Sequence, residues 1–203
     1  MKPPECAASP ALCATLAQRL PALPADAVAA LARMFSPLTL NKGGTLLHQG
    51  EVWRHALWVE RGALRLYFTR RDGREFNKNL YLEGALLCPL TPAMWDAPSL
   101  FEIGALEPAT VWRADAAAWR AALNATDQWA PLCTELLARL VSHKLQREHD
   151  LLMLDARTRY AAFCAREPRL AERIPLLHLA SYLGITDVSL SRIRRGSGDA
   201  SGD

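Results

Sequence analysis

The sequence contains no apolar run near the roughly 18 residues that a membrane-spanning helix requires. Its start, Met1 to Pro10, lacks the basic-then-apolar pattern of a secretory signal. A cytoplasmic protein with no membrane partner is therefore expected. CxxC and HxH pairs are missing too, and the five cysteines (Cys6, Cys13, Cys88, Cys133, Cys164) are scattered and odd in number. That pattern argues for reduced thiols rather than a disulfide framework, and gives neither zinc nor an iron–sulfur cluster a ligand set of diagnostic spacing. No cofactor is expected. Half the residues are hydrophobic and 22% are charged, a globular balance rather than a disordered one. A chain of 203 residues has room for one medium domain with a small module attached.

The formal net charge of +3 is unevenly spread. Met1 to Asp155 carries 16 Lys/Arg against 16 Asp/Glu, whereas Ala156 to Arg195 carries 8 Arg and no Lys against Glu167, Glu172 and Asp187, a net of +5. A compact basic segment beside a neutral body points to a phosphate-backbone partner.

Three textures follow one another. Ala11 to Phe35, rich in Ala and Leu, reads as two short helices, the second starting near Pro24. From Ser36 to about Arg113 short runs such as Ala56–Val59, Ala63–Phe68 and Ile103–Leu106 read as strands. Arg70-Arg71-Asp72-Gly73-Arg74 reads as a hairpin turn, with Asp-Gly supplying the positive φ angles. Glycines at 43, 44, 50 and 62 suit a coiled sheet, a β-roll or barrel. From Asp127 to Leu154 the pattern is helical, about 28 residues and roughly 40 Å. Leu132, Leu136 and Leu140 form one apolar row and Leu137, Val141 and Leu145 another. Such a helix can serve its own domain and a partner helix, so Leu132, Leu136, Leu137, Leu140 and Val141 are candidate dimer contacts. Helices are then expected at Thr158–Arg166, Leu176–Tyr182 and Asp187–Arg195, with a break at Pro168 and a disordered tail from Gly196 to Asp203.

In Leu179-Ala180-Ser181-Tyr182-Leu183-Gly184-Ile185-Thr186-Asp187-Val188-Ser189-Leu190-Ser191-Arg192-Ile193, small Ala180 allows a close helix crossing and Gly184 a left-handed turn. Leu183, Ile185, Leu190 and Ile193 form an apolar wedge, and Thr186 can cap the second helix. This stretch, with Arg173-Ile174-Pro175 before it, resembles the Crp/Fnr family of transcription regulators. Leu40, Gly43, Leu46, Gly50, Glu51, Leu57, Val59, Gly62 and Leu64 are similar to the spaced leucines and glycines of the cyclic-nucleotide-binding fold. The resemblance implies an α+β chain: an effector-sensing roll with N-terminal helices (1–126), a dimerisation helix (127–154) and a helix-turn-helix DNA-binding domain (155–195) without an evident wing. It also implies a homodimer on an inverted repeat of double-stranded DNA, contact with RNA polymerase, and an unknown small-molecule effector. The second helix of the motif would enter the major groove. Carried onto this chain, that makes Asp187, Val188, Ser191 and Arg192 the candidates for base contact, while Thr186, Ser189, Arg194 and Arg195 suit phosphates.

Cyclic-nucleotide binders of the fold pair the cyclic phosphate with an arginine followed by Ser or Ala. The corresponding stretches here, Glu83-Gly84-Ala85-Leu86-Leu87-Cys88 and Pro98-Ser99-Leu100-Phe101-Glu102, lack that arginine, so cAMP is not the expected effector. Two other readings compete with the regulator: a ligand- or partner-binding module of the same fold with a vestigial DNA-binding end, and a cupin enzyme. A cupin would need clustered His and Glu, which the sequence does not show; no enzymatic activity is expected.

Overall fold

Capping side chains and prolines mark out the helices. The structure, a computed structural model, describes residues 8–198. Ser9 caps α1 (Pro10–Arg19) through the Leu12 amide, Pro24 precedes α2 (Ala25–Ala32), and Asp115 caps α4 (Ala116–Asn124) through the Ala118 amide. Between α2 and α4 lie β1 (Ser36–Leu40), β2 (Thr45–Leu47), β3 (His55–Arg61), β4 (Leu64–Thr69), β5 (Glu75–Tyr81), β6 (Leu86–Leu87), the short α3 (Pro92–Asp96), β7 (Glu102–Ala105) and β8 (Ala109–Asp115). They pair antiparallel into two four-stranded sheets, β1-β8-β3-β6 and β2-β7-β4-β5. The β4–β5 hairpin turns at the expected place: Gly73 has φ +80, and the Arg70 amide donates to the Arg74 carbonyl at 2.9 Å.

Strand β3 explains why Ala56-Leu57-Trp58-Val59 is apolar without alternation. Leu57 and Val59 face the interior of the roll with Leu64, Leu66, Phe101, Ile103 and Val111. Ala56 and Trp58 face the other way, into a core built from α1, α2, α4 and the start of the long helix, with Leu12, Leu16, Phe35, Trp112 and Trp119. Both faces of this strand are covered.

The long helix is α5 (Trp129–Met153); Leu154 then turns extended, and Asp155 caps α6 (Ala156–Arg166) through the Thr158 amide at 2.8 Å. The C-terminal module continues with α7 (Pro168–Arg173), α8 (Leu176–Leu183) and α9 (Asp187–Gly198). Three differences from the sequence-based expectation stand out. Helix α4 precedes the long helix in a stretch to which the sequence pattern assigned no element. Pro168 starts a helix instead of only breaking one, because its fixed φ suits the first helical position. Finally, α9 runs through Gly196 to Gly198, so the start of the expected disordered tail is helical; residues 199–203 lie outside the described residues.

Candidate nucleic-acid interface

Helices α8 and α9 meet through Gly184, which is left-handed at φ 67 and ψ 34. The Ile185 amide returns to the Ala180 carbonyl at 3.1 Å. Leu179, Ala180, Leu183 and Leu190 are buried between the crossing helices, in a cluster with Phe163 and Ile174. Thr186 caps α9: its hydroxyl oxygen accepts from the Ser189 amide at 3.1 Å and its proton goes to Ser189 Oγ at 2.7 Å. Asp187 Oδ1 accepts from the Val188 amide at 2.9 Å. The Thr186 and Ser189 hydroxyls are therefore already joined to each other, and Asp187 to the first turn.

With Leu190 buried, helical spacing turns Val188, Arg192 and Arg195 outward with Ser191 at the margin, while Asp187, on the side of Leu190, is exposed as the first residue of the helix. Val188 is 55% exposed although apolar. Arg192 is exposed and makes no hydrogen bond or ion pair among the described residues. Arg195 Nη2 donates to Ser191 Oγ at 3.1 Å, and Arg194 sits toward α6, where its charge acts on Tyr160. Sequence reasoning missed Arg157: it is exposed and donates to the Gly196 carbonyl at 3.2 Å, which adds a cation beside the end of α9. Only the packing of α6 against α9 brings it there.

The excess of arginine in this segment has a second use. Arg159 donates to the carbonyls of Asp150 (3.0 Å), Leu154 (2.8 Å) and Leu183 (2.7 Å), tying the α5–α6 hinge to the end of α8. Arg166 pairs with buried Asp150. Burial alone would raise the Asp150 pKa, but bonds from Gln146, His149 and Arg166 outweigh it and hold the carboxyl below its usual range. Arg169 and Arg173 reach Glu83 on the roll at 3.1 and 2.7 Å, and Arg173 also pairs with Glu107. Arg159, Arg166, Arg169 and Arg173 thus join Arg157 and Arg195 in bonding within the chain, so the charge offered to a partner is smaller than the count suggests.

The module also docks on the roll through α8 and β5. The Asn77 amide donates to Ser181 Oγ at 2.9 Å, and Asn77 Nδ2 to the His178 carbonyl at 2.8 Å. Arg65 Nη1 lies 3.3 Å from His178 Nδ1, and Arg147 donates to the Tyr182 carbonyl at 3.0 Å. A buried asparagine in a strand was the available sequence signal for this contact, since such a side chain needs partners.

On α5 the two apolar rows separate. Leu132 and Leu136 are 1% and 8% exposed in the core of their own chain, and Leu140 also faces the roll. A row spaced by four lies on one helix face, and on this one Leu132 and Leu136 are buried within their own chain while Leu140 is half-buried. Leu137 is half-buried, while Val141 and Leu145 are 50% and 60% exposed.

On the sensor side the Ser99 hydroxyl is engaged by the backbone of Phe101, donating to its carbonyl at 2.7 Å and accepting from its amide at 3.2 Å. Cys13, Cys88, Cys133 and Cys164 are free thiols, with Cys88 pushed up to about 12 by burial. Among the described residues no three His, Cys, Asp or Glu side chains converge as a metal site requires, and no helix is long and apolar enough to cross a membrane.

Residues 37–126 match the cyclic nucleotide-binding domain family. No curated protein matches the sequence. Among solved structures, FixK2 from Bradyrhizobium japonicum is similar over 82% of this chain and 86% of its own, with a TM-score of 0.72 and 20% identity. A CooA variant from Carboxydothermus hydrogenoformans is similar over 84% of this chain and 79% of its own, with a TM-score of 0.67 and 19% identity. The catabolite activator protein of Thermus thermophilus covers 90% of this chain and 87% of its own, with a TM-score of 0.54 and 21% identity.

Proposed function

We propose that this chain, whose fold is that of the Crp/Fnr regulators, is a cytoplasmic, homodimeric, sequence-specific DNA-binding transcription regulator that works by binding and not by catalysis. The observation that carries the reading is the outward face of α9. Val188, Ser191 and exposed Arg192 stand at its centre, Arg157, Arg194 and Arg195 lie at its edges, and the whole is set by a left-handed Gly184 turn. Arg192 can make two hydrogen bonds to guanine O6 and N7; the flanking arginines can neutralise phosphates. In a two-fold dimer, formed along the row of Leu137, Val141 and Leu145, two α9 helices would enter successive major grooves about 34 Å apart and read an inverted repeat. The roll is the sensor for a small effector, and RNA polymerase is the partner through which occupancy alters transcription. Selection and sequencing of random duplexes retained by the purified protein at fixed salt tests the reading. An inverted repeat is the expected outcome. Failure to retain DNA, or retention of all sequences alike, would favour the module with a vestigial DNA-binding end.

A further inference from the structure

Strand β5 is an edge strand of the sheet β2-β7-β4-β5, so its outward backbone groups have no strand partner. At Asn77 two helices supply them: the amide donates to Ser181 Oγ of α8 at 2.9 Å, and the carbonyl accepts from Arg147 of α5 at 3.4 Å. Around this node the roll and the C-terminal module share an apolar cluster, with Ala63, Leu80 and Leu106 beside Ile174 and Leu179. The ion pairs of Arg169 and Arg173 with Glu83 lie at the exposed rim, where such pairs contribute little.

His178 of α8 sits at the node with its Nδ1 3.3 Å from Arg65 Nη1 and 3.4 Å from Asn77 Nδ2. The Asn77 side chain is fixed in orientation, because Nδ2 donates to the His178 carbonyl at 2.8 Å while Oδ1 accepts from Arg65 at 3.3 Å. Both neighbours of Nδ1 are therefore donors, and only an unprotonated Nδ1 fits between them. The charged groups that act on the ring are Arg65 on β4, Glu75 on β5 and Lys42 between β1 and β2. Glu75 alone favours a charged ring, and it is already paired with Arg65 at 2.6 Å. Burial first, then Arg65, hold the His178 pKa below its ordinary value.

We propose that His178 is a proton-sensitive pin between the two parts of the chain: neutral, it accepts at the Asn77 node and holds the module on β5; protonated, it lets α8 go, and α9 loses its fixed place relative to the roll. Release takes up one proton per chain. The released histidine, with its ordinary pKa of about 6.5, takes that proton before the docked one does. The ratio of released to docked protein therefore rises as pH falls below about 6.5, by at most about ten-fold per pH unit, and levels off beneath the docked pKa. The pin is a contact within the chain; only its consequence for α9 rests on reading the module as DNA-binding.

Hydrogen exchange of the Asn77 amide, followed by NMR on the full chain without DNA, reads the pin directly, because the acceptor of that N–H is on α8. Divided by the intrinsic exchange rate at each pH, its protection should fall by about three- to ten-fold per pH unit below about pH 6.5, while the amides that pair β3 with β8 keep theirs. His178→Gln offers an acceptor that cannot charge, so protection should no longer change with pH. His178→Lys carries a permanent charge and should show at neutral pH the low protection of the acid wild type. A pH-independent Asn77 amide in the wild type, the same acid loss in H178Q, or an equal loss between β3 and β8 would overturn the proposal, and none of these depends on H178K folding. A failed DNA selection leaves this result standing, and a pH-independent amide beside a successful selection removes the acid pin alone.

Discussion

The amide of Asn77 in the roll donates to Ser181 Oγ in the helix-turn-helix at 2.9 Å, across 104 positions of sequence. Asn77 is 3% exposed and its side chain spans to the His178 carbonyl, so one strand residue anchors α8 by two bonds. The next residue along β5, Lys78, is the extra residue of a bulge, where the register against β4 passes from Asn77–Tyr67 to Asn79–Leu66. Strand β5 is therefore the part of the roll that holds the C-terminal module.

Replacing Ser181 by Ala leaves the Asn77 amide without its acceptor in a buried place. The cost should be about 1–3 kcal/mol, felt as faster hydrogen exchange in α8 while the exchange of β3 and β8 stays unchanged. Equal loss of protection in both regions would mean that the module and the roll unfold as one unit.

His178 gives this contact a pH dependence. Burial, then the Arg65 charge, lowers its pKa; its Nδ1 faces the Arg65 guanidinium at 3.3 Å and the Asn77 amide nitrogen at 3.4 Å, two donors, so it serves as an unprotonated acceptor. With the folded pKa below the unfolded value of about 6.5, the unfolded state takes the proton first, and stability falls as pH drops below about 6.5 toward the folded pKa. Urea unfolding between pH 7.5 and 5 should show a loss of no more than about 1.4 kcal/mol per pH unit from this group, and His178→Gln should flatten the slope.

The two faces of α5 should respond differently to mutation. A double change Val141→Glu with Leu145→Glu should give a folded monomer by light scattering, because both side chains are half or more exposed. Leu136→Ala should instead destabilise each chain by about 2–5 kcal/mol, since that side chain is 8% exposed in its own core. A dimer unaffected by the paired glutamates would move the interface off this row.

Gly184 occupies a conformation that L-residues rarely adopt, and a Cβ there would lie 2.9 Å from Leu151 Cδ2. Gly184→Ala should cost about 1–3 kcal/mol, and DNA affinity should fall further than global stability does, because the angle between α8 and α9 depends on that turn. An undiminished thermal midpoint would show that Leu151 yields freely.

Arg192→Ala should cost about 1–3 kcal/mol per half-site and relax preference at the base it reads. Arg195→Ala should weaken binding to all sequences alike and reduce the salt slope by about one unit for each phosphate that is no longer neutralised. A salt-controlled fluorescence titration against matched and altered repeats separates the two, and an unchanged preference in a folded R192A dimer would take base reading away from this helix.

Local rules made much of this molecule legible. Proline and Asp-Gly positions located α2 and the β4–β5 hairpin, and the Ala180–Gly184–Thr186 spacing located the turn between α8 and α9, because each depends on backbone preferences within a few residues. The sequence also showed that α5 has two apolar rows. It could not say which row the roll covers, since helical periodicity is identical for a core and for an interface; only the seating of Leu132 and Leu136 among Phe35, Trp119 and their neighbours decided that. Nor could a net charge say which arginines are available: Arg159, Arg166, Arg169 and Arg173 are bound by carbonyls and carboxylates from 5 to 90 positions away, and Arg157 is beside α9 only because α6 packs there. The pairing of Asn77 with Ser181 is likewise a tertiary fact, because whether a buried polar group is satisfied depends on strands and helices brought together by folding, far apart along the chain.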